Sequence, residues 1–166
     1  MPPSIAILSD THDNLFNINR ALGIIRAENI HTVIHCGDLT SPETASQFYG
    51  FQVIHVIGNG DQLSGEIRHI LAELNPENFS GDLFEGEIQG VRIAAIHGHI
   101  PGSVSTLVSK GTYHFVFHGH SHKRRHEIIQ GCRLINPGAL GGLKRESRTF
   151  AILDLETAGL TIKELT

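Results

Sequence analysis

The first half of the chain alternates short apolar runs with stretches of helical spacing. Ser4-Ile5-Ala6-Ile7-Leu8, Thr32-Val33-Ile34-His35-Cys36 and Val53-Ile54-His55-Val56-Ile57 are rich in β-branched residues and end in polar loops, which predicts three buried strands. Between and after them, Leu15, Ile18, Leu22 and Ile25, then Leu63, Ile67, Ile70, Leu71 and Leu74, recur at the helical period. Asp13 and Asn14 are good helix caps. Ser41-Pro42 reads as a cap followed by a first-turn proline. The order β-α-β-α-β-α predicts a parallel sheet with right-handed crossovers. In such sheets ligands collect beyond the carboxyl ends of the strands. Asp10, Asp38 and Asn59 all lie just past predicted strand ends, so they should converge on one rim.

The second half changes character. Phe84–Ile88 and Val91–Ile96 flank Gln89-Gly90, His126–Ile129 and Cys132–Ile135 flank Gln130-Gly131, and Thr149–Leu155 and Leu160–Leu165 flank Thr157-Ala158-Gly159. Each set predicts a hairpin. Phe115-Val116-Phe117 adds a short strand, and Ser103 to Ser109 a short helix. This half should be mostly antiparallel. About ten strands in a chain of 166 residues make most simply two packed sheets with helices outside. No linker, repeat or low-complexity segment divides residues 1–166, so one domain is expected.

Composition sharpens this picture at one point. Hydrophobic residues at 40% and charged residues at 18% are ordinary for a globular protein. The net charge of -4 and the lack of a long Lys/Arg cluster give no strong nucleic-acid signal. The absence of tryptophan argues against a stacking platform for single strands. The basic runs Lys123-Arg124-Arg125 and Lys144, Arg145 and Arg148 read either as a solvated face or as an anion-facing rim. Cys36 and Cys132 do not make a disulfide framework. No secretory signal and no membrane-spanning run is visible, so a cytoplasmic protein is expected. Histidine is what stands out: there are 12, and they cluster as His97 with His99 and as His118, His120 and His122.

Taken singly, Asp10-x-His12, Gly37-Asp38 and Gly58-Asn59-Gly60-Asp61 are as readily turns and caps as metal ligands. His97-Gly98-His99 is more telling, because two imidazoles at a strand end are costly to bury unpaired. His118-Gly119-His120-Ser121-His122 is the strongest element, since its glycine and serine argue for a loop that gathers the rings. Together, five strand ends carry carboxylate, amide or imidazole donors. Such a mixed set suits Mn, Fe or Zn better than Ca or a structural Zn site. Seven donors are too many for one transition metal and a natural number for two. Paired cations of this kind lie about 3.5–4 Å apart and clamp the attacking and leaving oxygens of a phosphoryl displacement.

The ordered set Asp10-x-His12, Gly37-Asp38, Gly58-Asn59, His97-Gly98-His99 and Gly119-His120-Ser121-His122 resembles the calcineurin-like metallophosphoesterase superfamily. The short length, the His97-Gly98-His99 element and Asn136-Pro137-Gly138 resemble its small prokaryotic branch, the YfcE-type phosphodiesterases. The resemblance runs from about Ile5 to Phe150. It implies an α/β four-layer αββα sandwich, two mixed β-sheets flanked by helices. It also implies a dinuclear centre of two divalent metal ions, manganese first, with Fe, Zn or Ni also suited. Asp10, His12 and His122 would hold one cation, Asn59, His97 and His120 the other, and Asp38 would bridge them. A hydroxide shared by the two would hydrolyse a small phosphate ester, a diester or a monoester. A homo-oligomer stays open. So does a second role, as a protein-interaction scaffold like the similar retromer subunit, although that role predicts eroded ligands and all seven are present.

One position departs from the family pattern. Many members carry a histidine directly after the ligand asparagine, as an acid for the leaving group. Here that place is Gly60. His99 either replaces the missing acid or is a residue of the rim. Asn136-Pro137-Gly138-Ala139 is expected to be a structural turn, with backbone contact to substrate phosphate as the less favoured reading. Gly138 to Gly142 is not a dinucleotide fingerprint.

Overall fold

Alternation along the first strand sets up the whole architecture. In β1 (Ser4–Leu8), Ile5 and Ile7 point to one face while Ala6 and Leu8 point to the other. A strand apolar on both faces must be covered on both. One cover is helical: Ala6, Leu8, Val33 and Val53 pack with Ile18, Ala21, Leu22 and Ile25 of α1 (Leu15–Ala27) and with Ile67 and Leu71 of α3 (Ser64–Leu74). The other cover is a second sheet, which meets Ile5, Ile7, Ile34 and Val56 with Ile93, Ala95, Phe117 and Ile135. That second sheet is in turn capped by α4 (Ser103–Ser109), through Leu107 and Val108 against Ala94, Val116 and Leu134. Three apolar layers therefore separate four layers of structure, αββα.

The computed structural model describes residues 4–144 and 146–166. Arg145, part of a basic run read from the sequence, lies outside them. The first sheet also contains β2 (Thr32–His35), β3 (Gln52–Val56), β4 (Phe79–Gly81), β10 (Arg148–Asp154) and β11 (Leu160–Leu165), in the order β11-β10-β1-β2-β3-β4. Strands β1 to β4 run parallel, and β10 and β11 extend the sheet antiparallel. The second sheet has the order β5-β6-β7-β9-β8, with β5 (Leu83–Ile88), β6 (Val91–Ile96), β7 (Phe115–Phe117), β8 (Arg125–Ile129) and β9 (Cys132–Asn136). A short α2 (Pro42–Ser46) starts at Ser41, whose side chain accepts from the Thr44 N–H.

The second half is mostly antiparallel, as expected, through β5–β6, β8–β9 and β10–β11. The exceptions are β6–β7 and β7–β9, which pair in parallel. Those two pairings join strands distant in sequence, which hairpin signals cannot reveal. Among the described residues there are eleven strands, in line with the about ten expected. The one without a sequence signal, β4, has three residues and its middle is Ser80, so it carries no apolar alternation to read. The hairpin turns at Gln89-Gly90 and Gln130-Gly131 are present, with positive φ at both residues of each.

Candidate metal centre

All seven expected donors lie beyond the carboxyl ends of strands, on loops stitched together by backbone hydrogen bonds. Asp10 N–H donates to Gly37 O at 2.9 Å, His12 N–H to Asp38 O at 3.0 Å, and Gly119 N–H to His97 O at 3.0 Å. The first sheet brings Asp10, His12, Asp38 and Asn59, and the second brings His97, His120 and His122. Asp10, His12, Asp38, His120 and His122 all hold left-handed backbone, with φ between 42° and 66°. Strained conformations of this kind persist where surrounding contacts enforce them.

The donors converge in two overlapping groups. In the first, Asp10 Oδ1 lies 3.3 Å from His122 Nε2 and 3.9 Å from His12 Nε2, and the two Nε2 atoms are 3.2 Å apart. In the second, Asp38 Oδ1 lies 3.5 Å from His97 Nε2, which is 3.1 Å from Asn59 Oδ1. Asp38 Oδ2 reaches back to His12 Nε2 at 3.6 Å, so the two oxygens of Asp38 face opposite groups. His120 joins through its backbone N–H, 3.0 Å from Asp10 Oδ2, and through its ring, 5.1 Å from that of His97. His99 is exposed, its ring 5.5 Å from His97 and 6.3 Å from His120.

A divalent cation fits this donor set. Asp10 Oδ2 is satisfied by the Ser9 hydroxyl at 2.6 Å and by His120 N–H, whereas Oδ1 is buried with no hydrogen bond. Such an atom needs a partner. His97 Nδ1 lies 2.7 Å from Cys36 O, so Nδ1 carries the proton and Nε2 presents a lone pair. That lone pair faces the oxygens of Asn59 and Asp38, an arrangement of acceptors that a cation between them resolves. Burial works to raise the Asp10 carboxyl, but the His122 imidazole, the Ser9 hydroxyl and His97 outweigh it and hold it below the ordinary carboxylate value. His122 is raised above the ordinary imidazole value, chiefly by Asp10, with Glu146 adding to it. Burial lowers His120, and His97 beside it adds to the effect. Lowering favours the neutral form that binds metal.

Several residues that organise the centre carry no strong sequence signal. Asp61, read as part of a tight turn, accepts backbone N–H bonds from Asp38 at 3.0 Å, Gly58 at 2.7 Å and Thr40 at 2.7 Å, and its Oδ2 lies 3.2 Å from His55 Nε2. His55 in turn reaches Ser80 Oγ through Nδ1 at 2.9 Å. Asn136 Nδ2 donates to Gly119 O at 2.9 Å and to Ser121 Oγ at 3.1 Å, so the Asn136-Pro137-Gly138 turn clamps the histidine loop. Only Gly119 fits beneath that loop, because a Cβ there would lie 1.8 Å from Ser9 Oγ and 2.7 Å from Asp10 Oδ2.

A cavity of about 750 Å³ opens over the donors, lined by His12, Asn14, Asn59 and His122 together with Gly142, Leu143, Lys144 and Glu146. The basic runs divide accordingly. Arg124 and Arg125 pair with Glu164 and Glu127 on the surface, Arg148 donates to main-chain carbonyls, and Lys144 faces the cavity.

Residues 4–158 match the calcineurin-like phosphoesterase superfamily domain. The chain belongs to that superfamily. It is 36% identical over 154 residues to a phosphodiesterase of Methanocaldococcus jannaschii, covering 92% of this chain and 93% of that one. The solved structure of an archaeal phosphodiesterase superposes with a TM-score of 0.93 at 34% identity, covering 98% and 99% of the two chains. Lower in identity, YfcE of E. coli (TM-score 0.68, 15%, covering 98% and 100%) and Vacuolar Protein Sorting 29 of Cryptosporidium parvum (0.66, 16%, covering 98% and 96%) share the fold. The family uses divalent metals, and groups able to hold them are present here: Asp10, His12 and His122, and Asp10, Asp38 and His97.

Proposed function

We propose that this chain is a phosphodiesterase that works with two divalent cations at the rim where the two sheets meet. The observation that carries the reading is the buried, unbonded Asp10 Oδ1 set among converging imidazole nitrogens. Asp10, His12 and His122 would hold one cation and Asn59, His97 and His120 the other, with Asp38, whose oxygens face both groups, available to each. Bound cations would supply positive charge to the phosphoryl oxygens and lower the pKa of water. The protein's own part is positional. Cys36 O and Asp61 fix His97 and Asp38, and Lys144 brings positive charge to the cavity wall. His99, at the exposed rim 5.5 Å from the His97 ring rather than directly after Asn59, is a poorer substitute for the leaving-group acid that Gly60 lacks. Asp38, Asn59 and His99 are the residues nearest the chemistry.

Manganese is the favoured metal, because carboxylate, amide and imidazole donors suit it, with Fe, Zn or Ni able to substitute. The whole chain, 1–166, acts as one metallophosphoesterase domain, supported by the family match over residues 4–158. A cytoplasmic setting fits two buried, unpaired cysteines. Among the described residues no helix is long and apolar enough to cross a membrane.

Hydrolysis of bis-p-nitrophenyl phosphate by metal-depleted protein, with and without added Mn²⁺, tests the reading against His120→Ala. Turnover that needs both the metal and His120 supports it. No turnover in either sample would favour the scaffold role, which the shared fold with the vacuolar sorting protein keeps in view.

A further inference from the structure

His122 is approached from two sides. Its Nε2 faces the donors, 3.3 Å from Asp10 Oδ1 and 3.2 Å from His12 Nε2. Its Nδ1 lies 3.2 Å from Oε2 of Glu146. That oxygen is buried and makes no hydrogen bond. A buried carboxylate oxygen left without a donor is costly, and an N–H on His122 Nδ1 is within reach of it. With the proton on Nδ1, the Nε2 lone pair points toward Asp10 and His12. Ligating histidines characteristically donate their second N–H to a carboxylate or carbonyl, which fixes tautomer and ring orientation. His97 does this with Cys36 O. Glu146 stands in the corresponding place for His122.

Glu146 also belongs to the cavity wall that carries Leu143 and Lys144. That wall is fastened to the centre elsewhere. Gly141 N–H donates to Asp10 O at 2.8 Å, and Arg148 donates to the carbonyls of Gly142 and Lys144, both at 2.9 Å.

We propose that Glu146 is a positioning residue of the metal centre: it holds His122 with Nδ1 protonated and Nε2 free to ligate, and so couples cation binding to the order of the Leu143–Lys144 wall. The coupling is reciprocal, so what the wall contributes to cation affinity the cation returns as order in the wall. The proposal rests on the two-cation reading above and adds to it a residue outside the seven donors.

Calorimetric titration of Mn²⁺ into the metal-free full chain, as wild type, Glu146→Gln and Glu146→Ala, tests it. The wild type should bind two ions. Glu146→Ala should weaken one of the two sites by roughly 10–100-fold and leave the other in place. Glu146→Gln, whose amide oxygen still accepts the Nδ1–H, should stay within about threefold of wild type. A second readout is tryptic cleavage beside Lys144. Mn²⁺ should slow it in the wild type and Glu146→Gln, and not in Glu146→Ala. Equal affinities in wild type and Glu146→Ala, a Gln variant as weak as the Ala variant, or equal slowing in all three proteins would overturn the proposal. Wild-type protein that binds no divalent ion would overturn the two-cation reading as well. Two ions bound alike by wild type and Glu146→Ala would overturn this proposal alone.

Discussion

The carboxylate of Asp61 accepts the backbone N–H of Asp38 at 3.0 Å, so the residue proposed as the bridge between two cations is held by an acid outside the seven donors. The same carboxylate takes the N–H groups of Gly58 and Thr40, and a histidine lies against it. In Asp61→Asn an amide donor would face a backbone donor. The expected cost is roughly 3 kcal/mol of stability, because buried N–H groups lose their acceptor. Urea unfolding of the metal-free variant measures it. A loss below about 1 kcal/mol would show that the loop is held by other means.

Metal removal should cost stability as well as activity. The donors crowd around an unsatisfied Asp10 Oδ1, and a cation that binds only the folded state stabilises it by mass action. At a hundredfold excess over its dissociation constant, one ion adds about 2.7 kcal/mol. For a chain of this size that corresponds to a Tm rise of roughly 5–10 °C. Scanning calorimetry with and without Mn²⁺ checks it, and an unchanged Tm would count against a site preformed in the fold.

Acid should destabilise the metal-free protein well above the carboxylate range. His35 is fully buried, and burial holds it at about 3, below its ordinary 6.5. Between those values the unfolded chain takes up a proton that the folded chain refuses, so stability is full above 6.5 and falls as the pH drops. Asp61 acts in the same direction lower down. Burial opposes it, but His55 and the N–H groups of Gly58 and Thr40 hold it well below its ordinary 3.8, so its contribution is lost as the pH falls below that value. The urea midpoint should decline from pH 7 to 4.5, and His35→Gln should flatten that decline. An equal decline in both proteins would assign the effect to other groups.

Gly60 should shape substrate preference. Its N–H donates to Asp38 Oδ1 at 2.7 Å, and it offers no side chain to protonate a leaving group. Activated aryl diesters should be hydrolysed much faster than alkyl monoesters, which depend on a proton donor. A Cβ at this position would lie 3.0 Å from Asp38 Oδ1, a contact that a shift of a few tenths of an ångström relieves. Gly60→His should therefore raise alkyl ester turnover, relative to aryl, by about tenfold or more. Comparable rates on both substrates in the wild type would contradict this account.

Much of the site was legible because each donor follows a strand whose apolar character is plain. The strands Ser4–Leu8, Thr32–His35 and Gln52–Val56 announce themselves, and Asp10, Asp38 and Asn59 follow within three residues of their ends. What stayed hidden depends on contacts distant in sequence. The parallel pairing of β7 with β9 brings Asn136 under Gly119 and Ser121, and nothing local to Asn136 foretells it. Asp61 and Glu146 look like ordinary polar loop residues. Their roles arise only when the loops that carry Asp38 and His122 fold against them.

Five of the seven donors occupy left-handed backbone, the region that glycine enters without strain. Replacing such a residue with glycine would relax the main chain by up to about 1–2 kcal/mol while deleting a ligand. The three apolar layers that hold the sandwich together contain none of these five residues. For His12, His120 and His122, whose side chains accept no backbone N–H among the described residues, stability alone would therefore not favour keeping the donor. The same sandwich can stand without its histidines.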